Sequence, residues 1–172
     1  MKRIVIIFLF ASVFSCTQKQ EIKKDRKEVA KEIIMASKNC ALITVDSLGV
    51  AHARAMDPFL PEDNFTIWMA TNPKSKKVNE IRRNPKVTLY YFDKDNPGYV
   101  TIQGTATLVN SPEAKEKFWK EEWQNFYKDR ETDYLLIKIT PSKLNIISEE
   151  HNILGDSITW KSPEIEFEEK KP

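Results

Sequence analysis

The stretch Phe65–Leu89 most constrains the fold, because it predicts a strand, a basic turn, a short helix and a second strand in that order. Its opening part, Phe65–Thr71, is rich in β-branched and aromatic side chains, as a half-buried strand requires. Asn72–Pro73 ends this strand, because proline lacks an amide donor and restricts the residue before it. Ser75 is a suitable N-cap for a helix that we expect over Lys76–Arg83. The chain is therefore expected to pass from one strand to the next through a helix N-terminus.

Three polar residues, Ser75, Lys76 and Lys77, lie together where this helix begins. Unpaired backbone amides and the helix dipole favour an anion at such a position. Adjacent lysines oppose the same dipole, so a bound phosphate would explain why both are present. The alternative is a solvated charged turn on the surface, and the residues alone leave both interpretations open.

The chain begins with the layout of a secretory signal, in which the basic Lys2–Arg3 precedes the apolar run Ile4–Phe10. That run is too short to span a bilayer as a mature helix. The residues that follow resemble a bacterial lipobox, so residues 1–15 are expected to be a lipoprotein signal peptide and Cys16 the lipid-modified N-terminus. A plain signal peptide or an uncleaved anchor is the alternative. Thr17 after the cysteine favours an exported protein that is lipid-anchored to the outer membrane.

Composition divides the remaining chain into three segments. We expect residues 16–27 to be the lipidated cysteine and a flexible polar tether, residues 28–167 to be one domain, and residues 168–172 to be a disordered tail. The chain has 27 basic and 25 acidic residues, a net charge of +2, and the excess lies in the signal segment. A near-neutral mature chain lacks the broad basic face that nucleic acid requires, so nucleic acid is not an expected partner.

The cysteine and histidine content limits the chemistry. Once Cys16 is assigned to lipid, Cys40 is the cysteine that remains, and no disulfide framework is expected. Cys40 precedes an apolar run and is interpreted as a small core residue rather than a reactive thiol. The two histidines, His52 and His151, do not have the spacing of a structural zinc site, so no metal is expected.

The rest of the chain alternates between β-rich runs and helical stripes. The expected elements are a helix over Glu28–Ser37, hairpin strands Ala41–Val45 and Val50–Met56, strands Val87–Phe92 and Val100–Val109, a helix from Ser111 to about Lys128, and a last strand region, Tyr134–Ile139 and Leu144–Ile147, split by Pro141. Short turns join most of about six strands, which favours antiparallel pairing and closure into a small barrel. The pattern alone predicts an α+β chain, mainly β, with an antiparallel barrel or sheet.

Three aromatic residues, Trp119, Trp123 and Phe126, are spaced to share one face of the expected helix after Ser111. Core packing or a contact between two copies of the chain would explain such a stripe. A wall over a bound aromatic ring is the alternative interpretation.

The run T-N-x-x-S-[KR]-K, followed by a helix, N-P-[KR]-V and a strand, resembles the flavin-phosphate segment of the pyridoxamine 5′-phosphate oxidase-like split-barrel family. The general stress protein branch is the most similar, and the resemblance extends roughly over Lys27–Phe167. It implies a six-stranded antiparallel split β-barrel with flanking helices. It also implies a homodimer with two FMN sites across its interface.

The resemblance implies a set of cofactor-binding positions, which are Arg54, Ala55, Met56, Ala70, Thr71, Ser75, Lys76, Lys77, Tyr99 and Gln103. Arg54 would reach the phosphate, because a guanidinium is permanently charged and grips two oxygens. Tyr99 stands where the oxidase has a flavin-bonding glutamine. Gln103 lies nearby on the same strand as Tyr99. It is expected to point to the same face, and so to substitute for the oxidase's glutamine, provided that no bulge intervenes.

The same comparison indicates which reaction the chain does not carry out. The oxidase's substrate-binding residues have no counterpart here, and the acidic Glu164–Glu169 would repel a phosphorylated substrate, so vitamin B6 phosphate oxidation is disfavoured. The leading hypothesis is an exported, lipid-anchored, FMN-binding split-barrel homodimer of the general stress protein type, which, if catalytic, would transfer hydride or electrons between a nicotinamide or deazaflavin and a small acceptor. The alternatives are a non-catalytic flavin-binding or flavin-sensing lipoprotein and a cofactor-free interaction module. His52 would be a proton donor or a satisfied surface or core histidine, and no catalytic residue is assigned.

Overall fold

The computed structural model describes residues 24–168 of the chain. The expected signal peptide, the expected lipidation site at Cys16 and most of the expected tether lie outside the described residues. The first helix begins at Arg26, so the last two residues of that tether are helical. No helix within residues 24–168 is long and apolar enough to cross a membrane.

The described chain contains seven strands, three α-helices and one 3₁₀ helix. They are α1 (Arg26–Ser37), β1 (Cys40–Val45), β2 (Ala51–Met56), β3 (Ile67–Thr71), α2 (Lys76–Arg83), β4 (Lys86–Asp93), β5 (Gly98–Val109), α3 (Pro112–Lys117), the 3₁₀ helix (Glu121–Asn125), β6 (Leu135–Ser148) and β7 (Glu164–Glu166). The expected hairpin of β1 and β2 and the expected bounds of α2 are confirmed.

All strands belong to one antiparallel sheet with the order β2-β1-β4-β5-β6-β3, and β7 pairs with β6 beside this path. The expected antiparallel α+β class is confirmed, with β7 as a short strand beyond the expected six. The sheet does not close into a full ring. One isolated bridge between Pro58 and Met69 joins the segment after β2 to β3.

The last strand region was expected to be split at Pro141, and this expectation is wrong, because β6 is one strand of 14 residues. Gln103 on β5 pairs with Lys143, but the next residue, Gly104, pairs with Pro141, so Ser142 is an extra residue on β6. This bulge accommodates a residue that has no amide donor. The Ser142 hydroxyl donates to the Gln103 carbonyl oxygen at 3.1 Å, which stabilises the bulge.

The long helix expected from Ser111 to about Lys128 is also wrong, because α3 ends at Lys117 and the 3₁₀ helix follows. Phe118 leaves the helical conformation, and its ring stacks on Trp68 with 4.2 Å between centroids. The Tyr134 hydroxyl donates to the Phe118 carbonyl oxygen. Tertiary packing of aromatic rings therefore outweighs the local helical pattern.

The buried residues form two clusters. The main core lies between α1 and the sheet, where Val29, Ala30, Ile33 and Ile34 of α1 pack on buried strand residues. Cys40 belongs to this core, as expected, and burial raises the pKa of its thiol to about 12. The second cluster, which we call the aromatic cluster, consists of Phe59, Trp68, Phe118, Trp119, Trp123, Tyr127 and Tyr134 with their aliphatic neighbours.

Candidate functional site

A cavity of about 640 Å³ lies between the ends of β2 and β3, the start of α2 and the 3₁₀ helix. Its volume is in the range of small-molecule and cofactor sites. Several positions implied by the family resemblance line it together, namely Ala55, Met56, Ala70, Thr71, Ser75 and Lys77. Segments that are distant in the sequence therefore meet in one cavity.

Hydroxyl groups and one ammonium group form the polar end of the cavity, where α2 begins. The Ser75 Oγ and Thr71 Oγ1 atoms lie 3.0 Å apart. The Lys77 Nζ donates to the same Thr71 oxygen at 3.1 Å. Burial lowers the pKa of Lys77, the nearby Arg54 guanidinium lowers it further, and the Glu80 carboxylate opposes both effects. A half-buried ammonium in this setting would be stabilised by an anion.

Apolar and aromatic side chains form the opposite wall. Ala55, Met56 and Ala70 lie on the strand ends, and Trp123 and Tyr127 face them from the aromatic cluster. The wall also includes Phe126, of which 78% is exposed. The stripe expected to share one helix face is thus divided, because Trp123 is buried and Phe126 is not. The cavity therefore has an ammonium and hydroxyls where α2 begins, and rings and methyl groups with the Asp57 and Glu122 carboxylates on its other side.

Asp57 fixes the position of the aromatic wall. Its Oδ2 accepts a hydrogen bond from the Trp123 Nε1 at 3.0 Å, and its Oδ1 lies 2.6 Å from the Lys120 Nζ. This carboxylate therefore ties the 3₁₀ helix to the segment after β2. Reasoning from the sequence missed Asp57, because an aspartate before a proline indicates a turn and gives no sign of its partners.

Arg54 does not line the cavity. Its Nη2 donates to the Glu80 Oε2 at 2.9 Å, and its Nη1 donates to the Thr44 Oγ1 at 2.5 Å. The Thr44 hydroxyl in turn donates to the Glu80 carboxylate. Burial alone would raise the pKa of Glu80, but the Thr44 hydrogen bond and the Arg54 charge hold that pKa below its usual range. Glu80 is the second residue that the sequence did not reveal.

Lys76 also lies outside the cavity lining. Its Nζ is 3.1 Å from the His52 Nε2, and the same ring nitrogen is 2.9 Å from the Asp46 Oδ2. One nitrogen cannot donate to the carboxylate and accept from the ammonium at once, so the proton on His52 decides which contact is made. His52 therefore sits between charged partners, as a satisfied histidine at the edge of the site.

The last two implied positions, Tyr99 and Gln103, lie on the side of β5 that faces away from the core. The register shift follows Gln103, so no bulge separates the two residues and they share one face, as expected. Tyr99 stacks on Tyr90 with 5.8 Å between ring centroids. Neither residue lines the cavity. Among residues 24–168, no group of three or more His, Cys, Asp or Glu side chains is arranged to hold a metal ion.

Comparisons with a family model and with known proteins give matches that agree with one another. Residues 25–159 match the family model described as pyridoxamine 5′-phosphate oxidase like. Over 130 residues the chain is 29% identical to General stress protein 26 of Bacillus subtilis, which corresponds to 73% of this chain and 91% of that protein.

Solved structures agree with this match. General Stress Protein 26 from Bacillus anthracis has a TM-score of 0.62 and 30% identity over 70% of this chain and 92% of its own. A pyridoxamine 5′-phosphate oxidase-related, FMN binding protein from Nostoc punctiforme has a TM-score of 0.62 over 83% of this chain and 96% of its own. At 12% identity the second likeness shows the fold alone.

Proposed function

The chain belongs to the pyridoxamine 5′-phosphate oxidase-like family, and from this premise we propose that it is an FMN-binding protein of the general stress protein type. The observation that carries the proposal is the two-ended cavity. It has Lys77, Ser75 and Thr71 at one end and apolar strand residues with aromatic rings at the other, where the Asp57 and Glu122 carboxylates also line it.

This distribution fits the chemistry of FMN. The cofactor has an anionic phosphate, a polar polyol and a flat, mostly apolar ring, so its site needs cations and donors at one end and apolar surface at the other. Lys77, Ser75 and the first amides of α2 would hold the phosphate. Ala55, Met56 and Ala70 would lie against the ring, and the Thr71 hydroxyl would lie with Lys77 and Ser75 at the phosphate end.

Bound FMN supplies transfer of a hydride or of single electrons, and the protein supplies binding, orientation and exclusion of water. The aromatic wall with Trp123 and Tyr127 would shield one side of the cavity from solvent. We propose an oxidoreductase that uses a nicotinamide or deazaflavin donor and a small acceptor. Vitamin B6 phosphate remains a disfavoured substrate, because the residues that would hold it have no counterpart.

We also propose a homodimer in which Tyr99 and Gln103 meet the partner's flavin. The outward face of β4 and β5 supports this proposal. It carries Tyr90 and Phe92, which are 37% and 51% exposed, beside Tyr99. Exposed aromatic residues that lie next to each other often mark a protein interface. Light scattering of the purified protein at several concentrations would test the stoichiometry, and a monomer throughout would contradict it.

Export and lipid anchoring at Cys16 stand as a separate proposal, which rests on the N-terminal sequence. Mass spectrometry of protein taken from the membrane fraction would test it. A mature N-terminus at Cys16 with an added diacylglyceryl mass supports the proposal. An intact N-terminus in the soluble fraction contradicts it.

The decisive experiment for the proposed function is a titration of purified protein with FMN. We expect a shift of the flavin's visible absorption and quenching of its fluorescence, with saturation at one flavin per chain. Absence of any change at large excess of FMN would refute the proposal and favour a cofactor-free interaction module. If FMN binds, steady-state assays with reduced nicotinamides, deazaflavin and a panel of acceptors distinguish an enzyme from a flavin-binding or flavin-sensing protein.

A further inference from the structure

We propose that Glu80 sets the charge of the phosphate end of the cavity: it pairs with Arg54 and attracts Lys76, so that Lys77 is the one cation among the described residues that meets the ligand's phosphate. Glu80 is thus a specificity-determining residue, because it limits how strongly the site prefers a phosphorylated flavin over an unphosphorylated one. This inference rests on the proposed function, since it concerns the phosphate of the flavin.

The pairing between Arg54 and Glu80 is the first step of the argument. Both terminal nitrogens of Arg54 donate hydrogen bonds, one to Glu80 and one to Thr44. Only 3% of the Glu80 side chain is exposed. A buried ion pair that shares a hydrogen-bonded hydroxyl is costly to separate, because each partner would be left as an uncompensated charge. Arg54 is therefore held away from a ligand in the cavity.

Lys76 provides the second step. Its Nζ lies 3.7 Å from the Glu80 Oε1, and this oxygen is buried without a hydrogen-bond partner among residues 24–168. His52 contacts the same ammonium at 3.1 Å and lies 3.9 Å from the same oxygen. The Lys76 ammonium therefore lies beside Glu80 of α2 and His52 of β2, outside the cavity lining.

The third step concerns Lys77, the cation that remains at the cavity. Among the described residues it is the one Lys or Arg that lines the cavity wall. Its neighbours there are two uncharged hydroxyls: Thr71 accepts a hydrogen bond from the Lys77 ammonium and shares a second one with Ser75. A phosphate at this end would meet one ammonium directly, and it would feel Arg54 and Glu80 as a pair whose charges largely cancel.

The experiment compares the affinities of FMN and riboflavin in the wild-type protein and in Glu80→Gln, by flavin fluorescence at low salt. Glutamine keeps the shape of the side chain and an oxygen that accepts from Arg54. We expect Glu80→Gln to bind FMN about tenfold more tightly, because a negative charge near the phosphate is removed. Riboflavin affinity should stay within about twofold, since riboflavin has no phosphate.

The double variant Arg54→Gln/Glu80→Gln removes both charges together and keeps the two shapes. Because the pair is already neutral, we expect its FMN affinity to remain within about threefold of the wild type. A loss beyond about tenfold would show that Arg54 itself holds the phosphate, and this would overturn the proposal. The control is Glu116→Gln, which breaks a surface pair with Arg130 at 3.1 Å and should change neither flavin affinity.

The outcomes separate this inference from the function on which it rests. If the wild type binds neither flavin, the proposed function fails and the inference fails with it. If the wild type binds both flavins and Glu80→Gln leaves the FMN affinity unchanged, or weakens both flavins equally, the inference alone is wrong. Thermal unfolding of each variant identifies a loss of affinity that comes from loss of the folded state.

Discussion

The Lys77 ammonium and the Thr71 hydroxyl lie 3.1 Å apart at the polar end of the cavity. Thr71 ends β3 and Lys77 lies in the first turn of α2, so this contact ties the strand to the helix across the turn between them. The two residues are the direct means by which the fold would present a charge and a hydroxyl to a flavin phosphate.

Substitutions of Lys77 and of Lys76 should have very different effects on FMN affinity, although the two residues are adjacent. We expect Lys77→Ala to weaken FMN by about 10- to 100-fold, the range of one hydrogen bond to a charged group. Lys76→Ala should weaken FMN by no more than about threefold, because its ammonium points to His52 and Glu80. Riboflavin titrations are the control, because riboflavin has no phosphate and neither variant should change its affinity. Equal loss of FMN and riboflavin in Lys77→Ala would refute the role given to this lysine.

The Thr71 hydroxyl should matter for both stability and binding. Thr71→Val keeps the shape of this buried side chain but removes the oxygen that contacts Lys77 and Ser75. We expect a loss of about 1 kcal/mol in the free energy of unfolding and a weaker FMN site. Chemical denaturation with and without FMN measures both effects, and Thr107→Val on the exposed face of β5 is the matched control.

The sequence was sufficient for much of the fold because strand alternation and turn chemistry are local. The hairpin around Gly49, the bounds of α2 and the antiparallel class follow from such local patterns. The break after Lys117 and the unbroken β6 do not, because aromatic stacking decides the first and the bulge at Ser142, next to Pro141, decides the second. Both are tertiary effects that no short window of sequence contains.

The residues of the candidate site likewise fall into those that local sequence predicts and those that depend on tertiary packing. Ser75 and Lys77 both belong to the T-N-x-x-S-[KR]-K motif. They meet at the cavity because they lie close together in the sequence, at the turn that begins α2. Glu80 escaped notice because its importance comes from the packing of α2 against β1, which places it beside Thr44 and Arg54. The spacing of Lys76 and Glu80, four residues apart on a helix, was the one available signal.

Trp123 should anchor the aromatic wall. We expect Trp123→Ala to lower the free energy of unfolding by about 3–5 kcal/mol, as loss of a large buried ring does. Trp123→Phe keeps a ring but loses the hydrogen bond to Asp57, so its loss should be smaller, about 1.5–3 kcal/mol. Phe126→Ala, at an exposed position of the same wall, should stay within about 0.5 kcal/mol. Urea denaturation of the three variants checks this order, and a large effect of Phe126→Ala would contradict it.

Gly104 should not tolerate a side chain. A Cβ at this position would meet the Thr140 carbonyl oxygen on β6, which is backbone and cannot move aside. We expect Gly104→Ala to destabilise the protein by more than Gly49→Ala. At Gly49 the φ of 80° is strained for alanine, at about 1–2 kcal/mol, but the space around it is open. Thermal unfolding of the two variants tests the order, and a milder effect at Gly104 would mean that the bulge relaxes.

Asp46 should make the stability of the β1–β2 turn depend on pH in the acid range. With its Nε2 proton directed to Asp46, His52 donates a hydrogen bond that, together with those from the amides of Val50 and Leu48, lowers the pKa of this carboxyl from 3.8 to about 2. A group whose pKa is lowered by folding contributes stability above its unfolded value and loses it as the pH falls. The contribution should therefore be complete above about pH 4 and be lost between about pH 4 and pH 2. We expect His52→Ala to move the Asp46 pKa back towards 3.8, as measured by the NMR titration of its carboxyl carbon. An unchanged titration in that variant would show that the two backbone amides alone account for the shift.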